Sequence, residues 1–157
     1  MICTIIILAL TVLTYFPHRV SAGGLSFRAE ADRATEALSC PRPKIMPASS
    51  GLGALYSCIV GKAETVKFFI NGTQRTGRVK NAKLMWNDWF VDVGYGTHAD
   101  KKEARMFLTA FAKLYAPNME KELASIFFSN FNTTLEVADY HIAYTYSRGS
   151  KIDERLL

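Results

Sequence analysis

Asp139 and His141 are the pair in this chain best suited to do chemistry. Two residues apart on a strand, their side chains leave on the same face. There a carboxylate and an imidazole form an acid–base pair or supply two metal ligands. A metal site takes three or four ligands of defined type, and two are visible, so no metal or other cofactor is expected. Ala143 and Thr145 fall on the same face, which also fits the solvated side of a sheet. His98 and Asp100 repeat the spacing, but they open an amphipathic segment, where an aspartate suits the positive end of a helix dipole. No GxSxG, HExxH or CxxC occurs, and the glycine-rich residues 49–53 lack the lysine of a phosphate loop. Catalysis would have to come from residues scattered along the chain.

A second group could bind rather than react. Trp86 and Trp89 flank Asn87-Asp88, and paired indoles beside polar side chains can stack on a sugar. The same tryptophans also fit a core. Lys62, Lys67, Arg75, Arg78, Lys80 and Lys83 lie in one stretch against a single acid, Glu64, in a chain of net charge +5. A local basic region favours an anionic partner: a lipid surface, an acidic polysaccharide or an acidic protein. Nucleic acid is disfavoured, because Phe68 and Phe69 sit in an apolar strand pattern rather than interleaving with the bases. The plainer account of these lysines is protection of an edge strand from aggregation. Arg78, Lys80, Lys83, Trp86 and Trp89 are the candidate contact residues.

Compartment follows from the N-terminus and the cysteines. Residues 2–16 form an apolar run, broken at Pro17 and followed by Val20-Ser21-Ala22, which reads as a secretory signal peptide over 1–22. The run is short for a membrane span of about 20 residues. Met1-Ile2-Cys3 lacks the basic residue such leaders carry, so an uncleaved tether is the alternative, and only then is a membrane a partner. Residues 23–157 suit a single domain, secreted or periplasmic. Cys40 and Cys58 are then expected to form a disulfide. It closes a loop containing Pro41, Pro43, Pro47, Gly51 and Gly53, for which neither helix nor strand is expected. Asn71-Gly72-Thr73 and Asn132-Thr133-Thr134 are formal glycosylation acceptors.

These residues need a frame. Phe27, Ala31, Ala34 and Leu38 recur at helical spacing within 26–39. Residues 54–60 and 63–70 read as strands, and Asn71-Gly72 as a turn, tight or widened through Gly77. Asn87-Asp88 can make a hairpin in which Trp86 faces Trp89, Leu84 faces Val91, and Lys83 meets Asp92. A helix is expected from Thr97 to Tyr115 with Ala104, Phe107, Phe111 and Leu114 inward. A second runs from an Asn118 cap to Ser129, with Met119, Leu123, Ile126 and Phe127 inward. A long strand over 134–147 puts Tyr140, Ile142, Tyr144 and Tyr146 on one face, and 151–157 can return as a docked edge strand.

Grouped helices and hairpin signals imply an α+β fold: a mainly antiparallel sheet with an N-terminal helix and two consecutive helices packed on one face. The function expected is that of a small exported, non-enzymatic binding or inhibitor-like protein. The alternatives are a secreted hydrolase using Asp139 and His141, or an envelope protein held by its leader.

Overall fold

The computed structural model describes residues 25–62, 64–90, 101–137 and 140–157. The leader expected over residues 1–22, His98, Asp100 and Asp139 lie outside the described residues.

Three amphipathic helices form one layer. In α1 (Phe27–Ala37), the Ser26 hydroxyl accepts the Ala29 amide at 3.2 Å, capping one of the first-turn donors. Its buried stripe is Phe27, Glu30, Ala31 and Ala34. α2 (Lys101–Tyr115) buries Ala104, Phe107, Leu108, Phe111, Ala112 and Tyr115. α3 (Glu120–Phe127) buries Leu123 and Phe127. Asn118 does not cap α3: it sits at φ 73°, in the left-handed region that asparagine tolerates, and Met119 takes the cap position.

The other layer is a seven-stranded antiparallel sheet. Its strands are β1 (Lys44–Met46), β2 (Leu55–Val60), β3 (Val66–Gly72), β4 (Val79–Trp89), β5 (Thr133–Val137), β6 (Tyr140–Arg148) and β7 (Ile152–Leu156), in the spatial order β1-β2-β3-β4-β7-β6-β5. Tyr56, Phe68, Ile70, Leu84, Trp86, Ile142 and Tyr144 point from it into the core beneath the helices. The fold is α+β with the helices on one face, as the element pattern implied.

Of the two readings of the Asn71-Gly72 region, the loop widened through Gly77 is the one found, and four further expectations are corrected. The Asn71-Gly72 pair is not a turn: the β3–β4 ladder runs through Asn71↔Asn81 and Gly72↔Val79, and the chain reverses through residues 73–78 with Gly77 at φ 61°. Space at Gly72 is tight: a Cβ there would lie 3.1 Å from the Phe27 ring and 3.3 Å from the Ala54 carbonyl. The Asn87-Asp88 hairpin does not form either. β4 runs straight through both residues, which pair with Glu154 and Asp153 of β7, while the Asn87 amide donates to the Thr65 carbonyl at 2.9 Å.

The single strand expected over 134–147 is two strands, β5 and β6, joined antiparallel with Leu135 opposite Ile142 and Glu136 opposite His141. Pairing lets Val137, Ile142 and Tyr144 all reach the core. β7 is not an edge strand but fills the seam between β4 and β6. Finally, the proline-rich loop contributes β1, a three-residue exposed edge strand bounded by Pro43 and Pro47, whose missing amides suit an edge. Cys40 and Cys58 are joined as a disulfide with a Cα–Cα distance of 6.1 Å, tying the end of α1 to β2.

Candidate functional site

Among the described residues, the seam between β4 and β6 is only partly filled. β7 pairs with β4 from Trp89↔Ile152 to Met85↔Leu156, and with β6 from Arg148↔Asp153 to Thr145↔Leu156. Leu157 adds one more rung, exchanging both backbone hydrogen bonds with Leu84 at 2.9 and 3.0 Å. Past that rung the two walls, residues 79–83 and 140–143, continue with no described strand between them. The space is a cavity of about 540 Å³, lined on the helix side by Phe111 and Tyr115 and ended by Leu156 and Leu157.

Each wall is shaped by its sequence. On β4, the register shifts at Asn71/Gly72 opposite residues 79–81, so Lys80 is the extra residue of a bulge. A bulge bends its strand and re-aims the side chain it carries. Lys80 and Lys83 both line the cavity and are exposed, and neither forms an ion pair with a carboxylate among the described residues. On β6, Ile142 turns into the core and His141 turns out.

Tyr115 is held rigidly at the base. Its hydroxyl donates to Glu30 Oε1 at 2.5 Å, and Arg33 grips the same carboxylate through two nitrogens at 2.7 and 3.0 Å. Glu30 is 2% exposed, so the charge-assisted bonds from Arg33 and Tyr115 satisfy a carboxylate that would be costly to bury alone. Burial, then the neighbouring Glu30 charge, pushes the Tyr115 phenol far above its ordinary range. It is a fixed hydrogen-bond donor and an aromatic wall, not a base.

Of the residues singled out in the sequence, Lys80, Lys83 and His141 share the cavity lining, and the other described ones lie elsewhere. His141 reaches the cavity lining, but its described partner is Glu136 of β5, with Nδ1 at 2.5 Å from Oε1, and both side chains are largely exposed. Such a pair can pass a proton to water, yet no hydroxyl or thiol among the described residues is hydrogen-bonded to that imidazole. Arg78 lies at the end of the β3–β4 loop, where its carbonyl accepts the Thr73 amide at 2.7 Å.

Trp86 is 1% exposed, packed on Phe127 and Phe128 and beneath the Arg155 guanidinium. Trp89 is partly buried on the opposite face of the same strand. Three residues apart on a strand, the two indoles do not share a surface. Among the described residues no group of three His, Cys, Asp or Glu side chains could hold a metal, and no helix is long and apolar enough to cross a membrane.

Sequence reasoning did not single out Tyr115, Ala82, Ala143 or Leu157 as cavity residues. Tyr115 continues the Ala104, Phe107, Phe111 stripe by one more step of four. The others become a site only through the pairing of distant strands. Comparison with known proteins identifies no matching family model, no similar curated protein and no similar solved structure.

Proposed function

We propose that this chain is a small exported, non-enzymatic binding or inhibitor-like module that engages an anionic partner at the open part of the β4–β6 seam. The observation that carries this reading is the cavity of about 540 Å³ bordered by Lys80 and Lys83, two exposed cations without a carboxylate partner among the described residues. Concave sites with a few convergent polar groups over an apolar lining are the usual form of a binding site. Exposed charges beside such a site steer an oppositely charged partner toward it. Export is supported by the leader-like residues 1–22 and by the Cys40–Cys58 disulfide, which suits an oxidising compartment. The exposed His141–Glu136 pair, with no nucleophile bound to it among the described residues, favours binding over hydrolysis.

Two measurements test the proposal. Intact mass of the exported protein, with and without reductant and alkylation, should show a start at Gly23 and two thiols shielded until reduction. A retained leader would replace export with tethering. Binding to heparin, to phosphatidylglycerol vesicles and to polyglutamate should include at least one saturable partner. Lys80→Glu with Lys83→Glu should weaken it by about tenfold or more, an effect that grows at low salt. Unchanged binding in the double variant would sink the anionic-partner reading.

A further inference from the structure

Among the described residues, exposed apolar surface is concentrated at one edge of the sheet. Seven large apolar side chains are exposed, and four of them, Ile45, Met46, Leu52 and Ile59, belong to β1, β2 and the turn between them. Their exposures are 40, 53, 68 and 48%. Single apolar residues are ordinary on a surface, whereas a cluster marks a contact.

Local structure holds these side chains out. Ile45 pairs with Tyr56 and Met46 with Leu55, so the two straddle the edge strand, one on each face of the sheet. The turn is pinned where Ser49 and Leu52 exchange both backbone hydrogen bonds at 3.0 and 3.1 Å, with Gly51 between them at φ 89°. Just past it the chain presses against β3: a Cβ at Gly53 would lie 2.0 Å from the Gly72 carbonyl oxygen. The Cys40–Cys58 disulfide fastens β2 to the end of α1. An edge braced in this way cannot turn its aliphatic side chains inward.

Charge then selects the partner. Lys44 pairs with Ser57, two residues along from Met46, and Lys67 pairs with Ile59. Both lysines share the face away from the helices with Met46 and Ile59, and neither forms an ion pair with a carboxylate among the described residues. From residue 40 to residue 85 eight lysines and arginines stand against a single acid, Glu64, which Arg42 meets at 3.1 Å. A lysine stem lies along hydrocarbon while its ammonium stays among polar head groups. Aliphatic tips ringed by lysines therefore match a bilayer that carries negative charge. A nucleic acid would call for aromatic faces on which bases stack, and none of the four exposed side chains is aromatic.

We propose that the β1–β2 edge docks on an anionic lipid bilayer. Met46, Leu52 and Ile59 enter the boundary between head groups and acyl chains, and Lys44 and Lys67 meet the lipid charges. None of these residues lines the cavity at the seam, so this surface stands or falls without it.

The test is cosedimentation of the exported protein with vesicles of phosphatidylcholine, alone or mixed with an equal part of phosphatidylglycerol. Saturable binding to the mixed vesicles is expected, weaker by about tenfold or more without the anionic lipid. Met46→Ser, Leu52→Ser and Ile59→Ser together should weaken it by about tenfold or more and leave heparin binding unchanged, because no charge is altered. Lys44→Glu with Lys67→Glu should weaken it by a similar factor. In a Leu52→Trp variant the added emission should move to the blue on the mixed vesicles and be quenched by brominated acyl chains. Full binding by the triple serine variant, or an indole at 52 untouched by lipid, would overturn the proposal. If binding to heparin or polyglutamate still responded to Lys80→Glu with Lys83→Glu in that case, the seam reading would stand alone. Vesicle binding that needs the aliphatic residues but ignores Lys80 and Lys83 would support the edge and leave the seam without a partner. Self-association without lipid that the serine variant loses would identify a second copy as the occupant and overturn the proposal.

Discussion

The two halves of the β4–β6 seam are built from the same two strands and behave as opposites. Where β7 fills the seam, Trp86 packs against Phe127 and Phe128, and Arg155 lies between the Trp86 and Tyr146 rings at 5.2 and 4.9 Å. Where β7 is absent, the walls carry small or charged side chains, Ala82, Lys83 and Ala143, over Phe111 and Tyr115. Large aromatics close one half, and small residues leave room in the other. The same two strands thus border a packed core at one end and a cavity of about 540 Å³ at the other.

The largest expected effect falls on the filled half. Trp86→Ala should cost about 3–5 kcal/mol, because it deletes a fully buried indole whose neighbours relax only in part. Trp89→Ala, partly buried on the opposite face of the same strand, should cost less, about 1–2 kcal/mol. Urea unfolding of the two variants measures both. Equal losses would mean that the indoles share one environment and that the contrast between the faces of β4 is wrong.

Next comes the sheet edge far from the seam. Removing the Cys40–Cys58 crosslink by a double serine substitution should cost about 3 kcal/mol for a sequence separation of 18. Neither cysteine lines the cavity, so any binding of anionic probes there should be unchanged. A loss of affinity greater than the loss of folded protein would show that the seam depends on the opposite edge.

The helices were legible in the sequence because their signals are local. Phe27, Ala31, Ala34 and Leu38 recur within one segment, and Ser26 supplies its cap nearby. The cysteine pair was equally legible, since only two cysteines follow the apolar run of residues 2–16. The candidate site was not, because strand pairing is decided at a distance. A Trp86–Trp89 hairpin satisfied both faces of β4 as far as the sequence could test it. Yet β7 offers the same strand five rungs, from Met85↔Leu156 to Trp89↔Ile152, from more than sixty residues away. Period-two patterns accept many partners, so local complementarity over a few positions does not choose among them. Glu30 escaped for a related reason: a glutamate inside an apolar stripe reads as solvated until Arg33 of its own helix and Tyr115 of α2 are seen to close around it.

That cluster provides the third test, at the base of the open half. Tyr115→Phe should cost about 1–2 kcal/mol by leaving one buried Glu30 bond unmade. It also has a pH signature. The Tyr115 phenol is raised in the folded protein, so the folded state holds its proton while an unfolded tyrosine releases it near pH 10. Its contribution is therefore complete below about pH 10 and is lost as pH rises beyond that value. Tyr56 and Tyr144, raised chiefly by burial, add to the same alkaline decline. Unfolding free energy measured from pH 8 to 11 should fall less steeply for Tyr115→Phe than for the wild type. Identical slopes would mean that the phenol titrates freely and that the base of the cavity is not rigid.

The smallest expected effect on stability is at the residues given the largest part in binding. Lys80→Glu and Lys83→Glu alter exposed side chains that make no ion pair with a carboxylate among the described residues, so each should shift unfolding free energy by no more than about 0.5 kcal/mol. An edge-protecting role for these lysines predicts otherwise, because reversing the sign keeps a charge at the edge and should leave both solubility and binding intact. A binding role predicts unchanged stability, unchanged solubility and a salt-dependent loss of affinity for acidic probes. The filled half of the seam would then tolerate little change and repel no partner, whereas the open half would tolerate much and discriminate by charge.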